Sequence, residues 1–162
     1  MDAAQNICAA SWTNAAGDLP CPSPSQGFEG SMFKEGTPHF EGGYQDDEPT
    51  LVMIPNDGPG GSISARYPAI MVEEDDHFLS VIGCLEGNPT CDITFELGYQ
   101  VGDGKLQPLG SWQQIYDGVY EKISIDLSAL AGQMVKLVLT VRSNNDTAVD
   151  NAGFWLAPVV IR

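Results

Sequence analysis

The segment SWQQIYDG carries aromatic rings and amides in an order that suits sugar recognition. On an extended strand Trp112, Gln114 and Tyr116 face one way, because successive side chains point to opposite faces. A sugar site needs an aromatic platform for the CH face of the ring, and amides or carboxylates for the hydroxyl groups. If the preceding segment TFELGYQ is the neighbouring strand across the turn VGDGK, the outward Glu96 and Gln100 join this face. These residues form the predicted ligand site.

An alternative interpretation places Trp112 and Tyr116 in the core while Gln113 points to solvent. Large aromatic side chains are buried on average, which favours this alternative. Other candidate platforms have weaker sequence context: Trp12, Tyr44, Tyr67 and Tyr120.

Sequence motifs of catalysis are absent. The chain contains no G-x-S-x-G, H-E-x-x-H or P-loop motif, and His39 and His77 merely lie near acidic residues. The paired carboxylates of a glycosidase stay open as an alternative, because the order of 22 acidic residues does not reveal their separation in space. We therefore expect no enzymatic activity, with a small glycan-active enzyme as the most distant alternative.

The charge balance is strongly acidic, with 22 acidic and 7 basic residues and a net charge of −15. Such a chain repels phosphate backbones and anionic membranes, so nucleic acid is not an expected partner. Membrane insertion is not expected either, because no apolar run approaches the ~20 residues of a spanning helix.

Acidic loops (DDE, EEDD, Asp57, Asp146 and Asp150) have the chemistry for calcium, but none has EF-hand spacing, and we interpret most of them as solvated turns.

Four cysteines allow three disulfide pairings. The local pairing, Cys8 with Cys21 and Cys84 with Cys91, is favoured because the intervening EGNPT supplies turn residues that bring the second pair together. Zinc is the rival interpretation, but there is no C-x-x-C pair, and both histidines lie apart from the cysteines. Disulfides predict an oxidising, extracytoplasmic location, either secreted or at the cell surface.

Apolar and polar residues alternate with a period of two along much of the chain. In CDITFELGYQV, the residues Ile93, Phe95, Leu97, Tyr99 and Val101 share one face. YEKISIDL and QMVKLVLTVRS repeat the pattern, and further strand candidates are TLVMIP, GSISARYPAIMV, HFLSVIGCLE, LGSWQQIY and the C-terminal segment. Only SALAG suggests a helix, of about one turn. The pattern predicts an all-β protein, an antiparallel β-sandwich (jelly roll) of roughly eight to ten strands with almost no helix.

A chain of 162 residues and 17.3 kDa suits one domain. Residues 1–26 are small, polar and proline-rich, and we interpret them as an irregular lead-in that is pinned by a Cys8–Cys21 bridge. Residues 27–162 form the single sandwich domain. The N-terminus lacks the pattern of a signal peptide, so we expect a removed signal or a domain taken from a longer secreted chain.

The closing segment DNAGFWLAPVVIR is apolar on both faces of a strand. We assign Trp155 to the core. Pro158 cannot donate to a ladder, which predicts an edge or a bulge that resets the alternation.

From residue 62 to residue 162 the order of these patterns resembles the jelly-roll accessory domains of secreted bacterial proteins, the galactose-binding-like superfamily that includes many carbohydrate-binding modules. IDLSALAGQMVKLVLTV, and an Asp shortly before an aromatic-rich last strand, carry the resemblance. It implies two antiparallel sheets, no catalysis, a sugar site on a concave sheet face or at loop tips, and a structural calcium. By resemblance the calcium ligands would be Asp150 with an early partner, Glu29 or Glu41.

The predicted function is therefore a non-catalytic extracellular module that binds a polysaccharide or oligosaccharide as part of a larger secreted enzyme or surface protein. The alternative is a structural or adhesive module without a sugar ligand.

Overall fold

The computed structural model describes residues 1–23, 30–56, 60–145 and 150–162. In these residues three short 3-10 helices (Ile7–Ala9, Glu41–Gly43 and Ser128–Leu130) accompany fourteen strands. In chain order the strands are β1 Ser11–Asn14, β2 Gly17–Leu19, β3 Ser31–Glu35, β4 His39–Phe40, β5 Tyr44–Gln45, β6 Thr50–Ile54, β7 Ser62–Arg66, β8 Ile70–Met71, β9 His77–Cys84, β10 Asp92–Val101, β11 Gln107–Ile115, β12 Glu121–Asp126, β13 Met134–Ser143 and β14 Gly153–Ile161.

The strands form two antiparallel sheets and a small hairpin. The larger sheet has seven strands in the order β11-β10-β13-β7-β1-β2, with β8 beside β13. The smaller has five, in the order β12-β9-β14-β6-β3, and β4 pairs with β5. The predicted all-β, antiparallel sandwich with almost no helix is confirmed. The strand count exceeds the prediction because several strands have only two or three residues, too few for a period to show.

The alternation along each strand builds the core between the sheets. On β10 the predicted inner residues Ile93, Phe95 and Leu97 are buried, and they lie opposite buried residues of β13 such as Leu139. Ile82 and other residues of the smaller sheet join the same cluster. No helix in the described residues has the length and apolar character to cross a membrane.

The N-terminal segment is part of the larger sheet, not an irregular lead-in. Strand β1 pairs with both β2 and β7, and Trp12 is buried with its Nε1 donating to the carbonyl of Ile7 at 2.8 Å. The expected bridge Cys8–Cys21 is present, and so is Cys84–Cys91. The sequence did not reveal β1 and β2 because these short polar strands depend on pairing with a remote strand rather than on their own periodicity.

Strand β14 is apolar on both faces because both faces are covered. Trp155 points into the core, where its ring packs edge-on against Phe95 with centroids 5.1 Å apart. Phe154 and Leu156 point outwards and form a second cluster with Phe40. The register of β14 against β9 shifts between Leu156 and Val159, so the predicted bulge around Pro158 is confirmed.

Candidate functional site

The register of strands β10 and β11 divides the predicted ligand residues between two faces. The two strands are neighbours, as expected, but Trp112 lies opposite the buried Phe95, and Ser111 lies opposite Glu96. Directly opposed residues share a face, so Trp112 faces inwards and Glu96 outwards. The expectation that Glu96 and Gln100 join the aromatic face is wrong. The register between two strands decides which of their residues share a face, and the alternation within a single strand gives no information about that register.

Trp112, Gln114 and Tyr116 do share a face, at the rim of the core. Trp112 and Tyr116 are half-buried and pack against the core cluster. The side chain of Gln114 donates to Oε2 of Glu121 on strand β12, at 3.2 Å. This face therefore closes the edge between the two sheets. The result is close to what the alternative interpretation expected, which placed both aromatic residues in the core.

The other predicted ligand residues lie on the outer face of the larger sheet. Glu96 pairs with Arg142, with Nη2 and Oε2 3.2 Å apart, and it lines a cavity of about 220 Å³. The amide of Gln100 donates to the carbonyl of Gly104. No aromatic side chain lines this cavity among the described residues, so it lacks a platform for a sugar ring.

An aromatic column on the smaller sheet presents the exposed ring. Tyr44 is 46% exposed, and the other Phe, Trp and Tyr side chains within the described ranges are buried or half-buried. Its ring stacks on Phe40, with centroids 5.8 Å apart and 19° between the planes, and lies 5.6 Å from Tyr120. Phe40 in turn stacks on Phe154 at 4.1 Å. We call Phe40, Tyr44, Tyr120 and Phe154 the aromatic column.

A tight hairpin places Tyr44 above the sheet. Strands β4 and β5 pair across a 3-10 turn in which Gly42 and Gly43 have φ of 76° and 77°, a region that favours glycine. Between them and Phe40 lies Glu41, which is fully buried. Its Oε1 accepts the backbone N–H of Cys84 at 3.0 Å, and its Oε2 accepts the N–H of Asp117 at 2.7 Å. The column is thus anchored to strand β9 and to the β11–β12 turn.

A hydrogen-bonding carboxylate lies beside the exposed ring. The hydroxyl of Tyr44 donates to Oδ2 of Asp46 at 3.2 Å. This hydrogen bond, and then the negative charge of Asp46, raise the pKa of the Tyr44 phenol above its ordinary value. At the start of the same hairpin, His39 lies 3.4 Å from Glu86 and contacts the amide of Gln45. An exposed ring with a carboxylate beside it offers both elements of sugar recognition, a platform for the CH face and an acceptor for hydroxyl groups. His39 and Gln45 form the pair next to Phe40 and Tyr44 in the hairpin, so they lie on its other face.

The sequence named Tyr44 and Tyr120 only as weaker candidate platforms. Their strands are too short to show a period, and the members of the column are separated by up to 114 positions, from residue 40 to residue 154. The available signal was the run PHFEGGYQ, in which two aromatic residues flank a glycine pair that can make a tight turn.

Of the predicted calcium ligands, Glu41 and Asp150 lie in the described residues, and hydrogen bonds engage both carboxylates. Glu41 directs its carboxylate at three backbone N–H groups, the third from Gly118, and Asp150 accepts a hydrogen bond from the hydroxyl of Thr90 at 2.9 Å. Within the described part of the chain no three His, Cys, Asp or Glu side chains cluster as a metal site would require. Glu29, Asp57 and Asp146 lie outside the described residues.

Comparisons with known proteins identify the class of fold. No family model and no curated protein matches the sequence. Among solved structures, the CBM51 domain of Clostridium perfringens GH95 in complex with methyl-galactose is similar, with a TM-score of 0.59 at 16% identity over 88% of this chain and 95% of that one. TmCBM61 in complex with β-1,4-galactotriose gives a TM-score of 0.54 at 6% identity, over 93% of this chain and 88% of that one.

A third structure, of carbohydrate-binding modules from the β-sandwich superfamily, gives a TM-score of 0.54 at 9% identity. It matches over 81% of this chain, which spans about half, 52%, of that chain. The fold is therefore that of the β-sandwich carbohydrate-binding modules, and the resemblance inferred from the sequence is confirmed at the level of the fold.

Proposed function

We propose that this protein is a non-catalytic carbohydrate-binding module and that its sugar stacks on Tyr44. The observation that carries the proposal is the exposed ring of Tyr44, which stacks on Phe40 and contacts Tyr120. A platform that is already rigid loses little conformational entropy when a sugar binds, which favours affinity. Two of the solved structures with the same fold are complexes with methyl-galactose and with β-1,4-galactotriose, which supports a sugar as the ligand class.

The charge of the chain narrows the ligand class to neutral sugars. Asp46 lies beside the platform, and its carboxylate can accept hydrogen bonds from sugar hydroxyls. This carboxylate, on a chain of net charge −15, repels a sulfated or uronic-acid polysaccharide. The proposed ligand is a neutral oligosaccharide or polysaccharide.

The proposal also covers the lack of catalysis, the extracellular location, the parent polypeptide and a structural calcium. The absence of recognisable catalytic motifs in the sequence supports a binding role without chemistry. Two disulfides support secretion or a cell-surface location, and a larger parent polypeptide remains part of the proposal. A structural calcium stays a prediction: a melting temperature that is the same in calcium and in chelator would contradict it.

The test compares Tyr44→Ala with the wild type on a panel of neutral oligosaccharides that includes β-1,4-galactotriose and xylohexaose. Loss of ring stacking, worth about 1 kcal/mol or somewhat more, should weaken binding about tenfold, whereas Tyr44→Phe should retain it. The matched control is Met71→Ala, since Met71 is 50% exposed on the other sheet. Trp112→Ala tests the competing site at the sandwich edge.

A lack of binding to every neutral glycan would support the structural or adhesive alternative. Equal binding by Tyr44→Ala and the wild type, with loss in Trp112→Ala, would move the site to the edge formed by Trp112, Gln114 and Tyr116. Either result overturns the assignment of Tyr44.

A further inference from the structure

An open groove of about 420 Å³ runs along the outer face of the smaller sheet. Two rows of cross-strand neighbours build its floor. Leu79 lies opposite Val159, and Val81 lies opposite Leu156 in the pairing of β9 with β14. Ala157 completes an apolar floor. On the far side, strand β12 places Ser124 beside Leu79 and Lys122 beside Val81.

The groove is continuous with the aromatic column. Leu156 belongs both to the groove lining and to the buried cluster with Phe40 and Phe154. Val81 and Ala157 also line the groove and pack against that same cluster. Tyr120 packs against the cluster but does not line the groove. A ligand whose ring stacks on Tyr44 therefore has the groove within reach on the same face of the sheet.

The lining of the groove does not suit a second sugar ring. A sugar carries several hydroxyl groups, each of which loses a hydrogen bond to water unless the protein replaces it. The exposed side chains of the floor are aliphatic, and the polar residues at the rim are Glu48, Lys122 and Ser124. Ser80 also lines the groove, but its side chain is buried and its hydroxyl donates to the carbonyl of Leu156 at 2.9 Å. The occupant that this lining does suit is a hydrocarbon chain. Glu48 and Lys122 have opposite charges, so the rim does not select a charged group.

We propose that the groove binds the apolar aglycone, an alkyl or acyl chain, of a neutral glycoside whose sugar stacks on Tyr44. This inference rests on the proposed function and deepens it, because it makes the ligand an amphipathic glycoside, a glycolipid-like molecule. Each methylene group that leaves water on binding contributes about 0.8 kcal/mol. Burial of two or more methylene groups therefore strengthens binding about tenfold or more.

The experiment measures the dissociation constants of methyl and octyl β-D-galactopyranoside, and of the matching β-D-glucopyranosides, below the micelle concentration of the octyl compounds. The octyl glycoside is expected to bind at least about tenfold more tightly than the methyl glycoside of the same sugar. Ser124→Trp, at an exposed position beside Leu79, should fill the groove and remove the octyl advantage without changing the affinity for the methyl glycoside. The matched control is Ser111→Trp, an exposed strand position on the other sheet, which should keep the octyl advantage.

The outcomes separate the two proposals. Equal affinity for methyl and octyl glycosides overturns the groove inference and leaves the sugar platform intact. Octyl binding that survives Tyr44→Ala but not Ser124→Trp supports the groove and overturns the platform. An octyl advantage that persists unchanged in Ser124→Trp overturns the groove. No binding of any of the four glycosides also overturns the groove inference, whereas the sugar platform is overturned only if the panel of neutral oligosaccharides fails to bind as well.

Discussion

The carboxylate of Glu41 accepts the backbone N–H of Gly118 at 2.8 Å, across 77 positions of the sequence. With the bonds from Asp117 and Cys84, this contact ties the hairpin that carries Tyr44 to strand β9 and to the turn before strand β12. A buried carboxylate that accepts three backbone hydrogen bonds is fully engaged, because both of its oxygens have partners. The aromatic column therefore has a fixed position on the sheet.

Replacement of Glu41 by leucine should lower the free energy of unfolding by about 3 kcal/mol, because one buried and two partly buried N–H groups lose their acceptor at about 1 kcal/mol each. Urea denaturation of the wild type and the variant measures the change. Glu74→Leu, at an exposed position, is the matched control and should change stability little. A loss smaller than about 1 kcal/mol in Glu41→Leu would show that water replaces the carboxylate.

Trp112→Ala should lower stability by about 2 kcal/mol, because the half-buried ring packs against the core and its removal leaves a void. Tyr44→Ala should have a smaller effect on stability, since its ring is 46% exposed. Thermal or urea unfolding compares the two variants, and glycan binding is measured on the same samples. Unchanged stability in Trp112→Ala would contradict the packing of this ring against the core and would support Trp112 as a platform for a sugar.

Asp76 should make stability depend on pH in the acid range. The backbone N–H of Glu73, 2.9 Å from Oδ2, is the main cause of a lowered pKa in the folded state, and the side chain of Arg162 adds to it. A carboxylate with a lowered pKa stabilises the fold above its unfolded-state pKa of 3.8, and this contribution is lost as pH falls through the lower folded-state value.

The stability difference between the wild type and Asp76→Asn should therefore be constant near neutral pH and shrink below pH 3.8. Urea denaturation across the acid range measures it, with Glu74→Gln as the exposed control. A difference that stays constant through the acid range would refute the lowered pKa of Asp76.

Removal of the Cys8–Cys21 bridge should lower the free energy of unfolding by about 3 kcal/mol, because the unfolded chain regains the entropy that closure of a loop of about 15 residues removes. The bridge has a sequence separation of 13 and joins the segment before strand β1 to the segment after strand β2. These two strands form one edge of the larger sheet. Denaturation of the Cys8→Ser/Cys21→Ser double variant measures the loss, and Cys84–Cys91 stays intact as an internal control. Full retention of stability would mean that strand pairing and the burial of Trp12 hold β1 in place without the bridge.

Much of the fold followed from the sequence because alternation, turn chemistry and cysteine spacing are local. Strand β10 was predicted with its inner face, and both disulfides and the bulge at Pro158 were predicted from a few neighbouring residues each. Such signals need no knowledge of the remote chain, because the side chains of a strand alternate whatever its partner is.

The candidate site required the tertiary structure. Alternation showed that Trp112, Gln114 and Tyr116 share a face, but only the pairing of Trp112 with Phe95 decided that this face turns towards the core. The aromatic column joins Phe40, Tyr44, Tyr120 and Phe154 from three separate regions of the chain. The sequence by itself determined which residues can alternate, turn and bridge, whereas sheet order and register determined which of them meet, because contacts between remote strands depend on hydrogen-bonded pairing and on the packing of the whole sandwich.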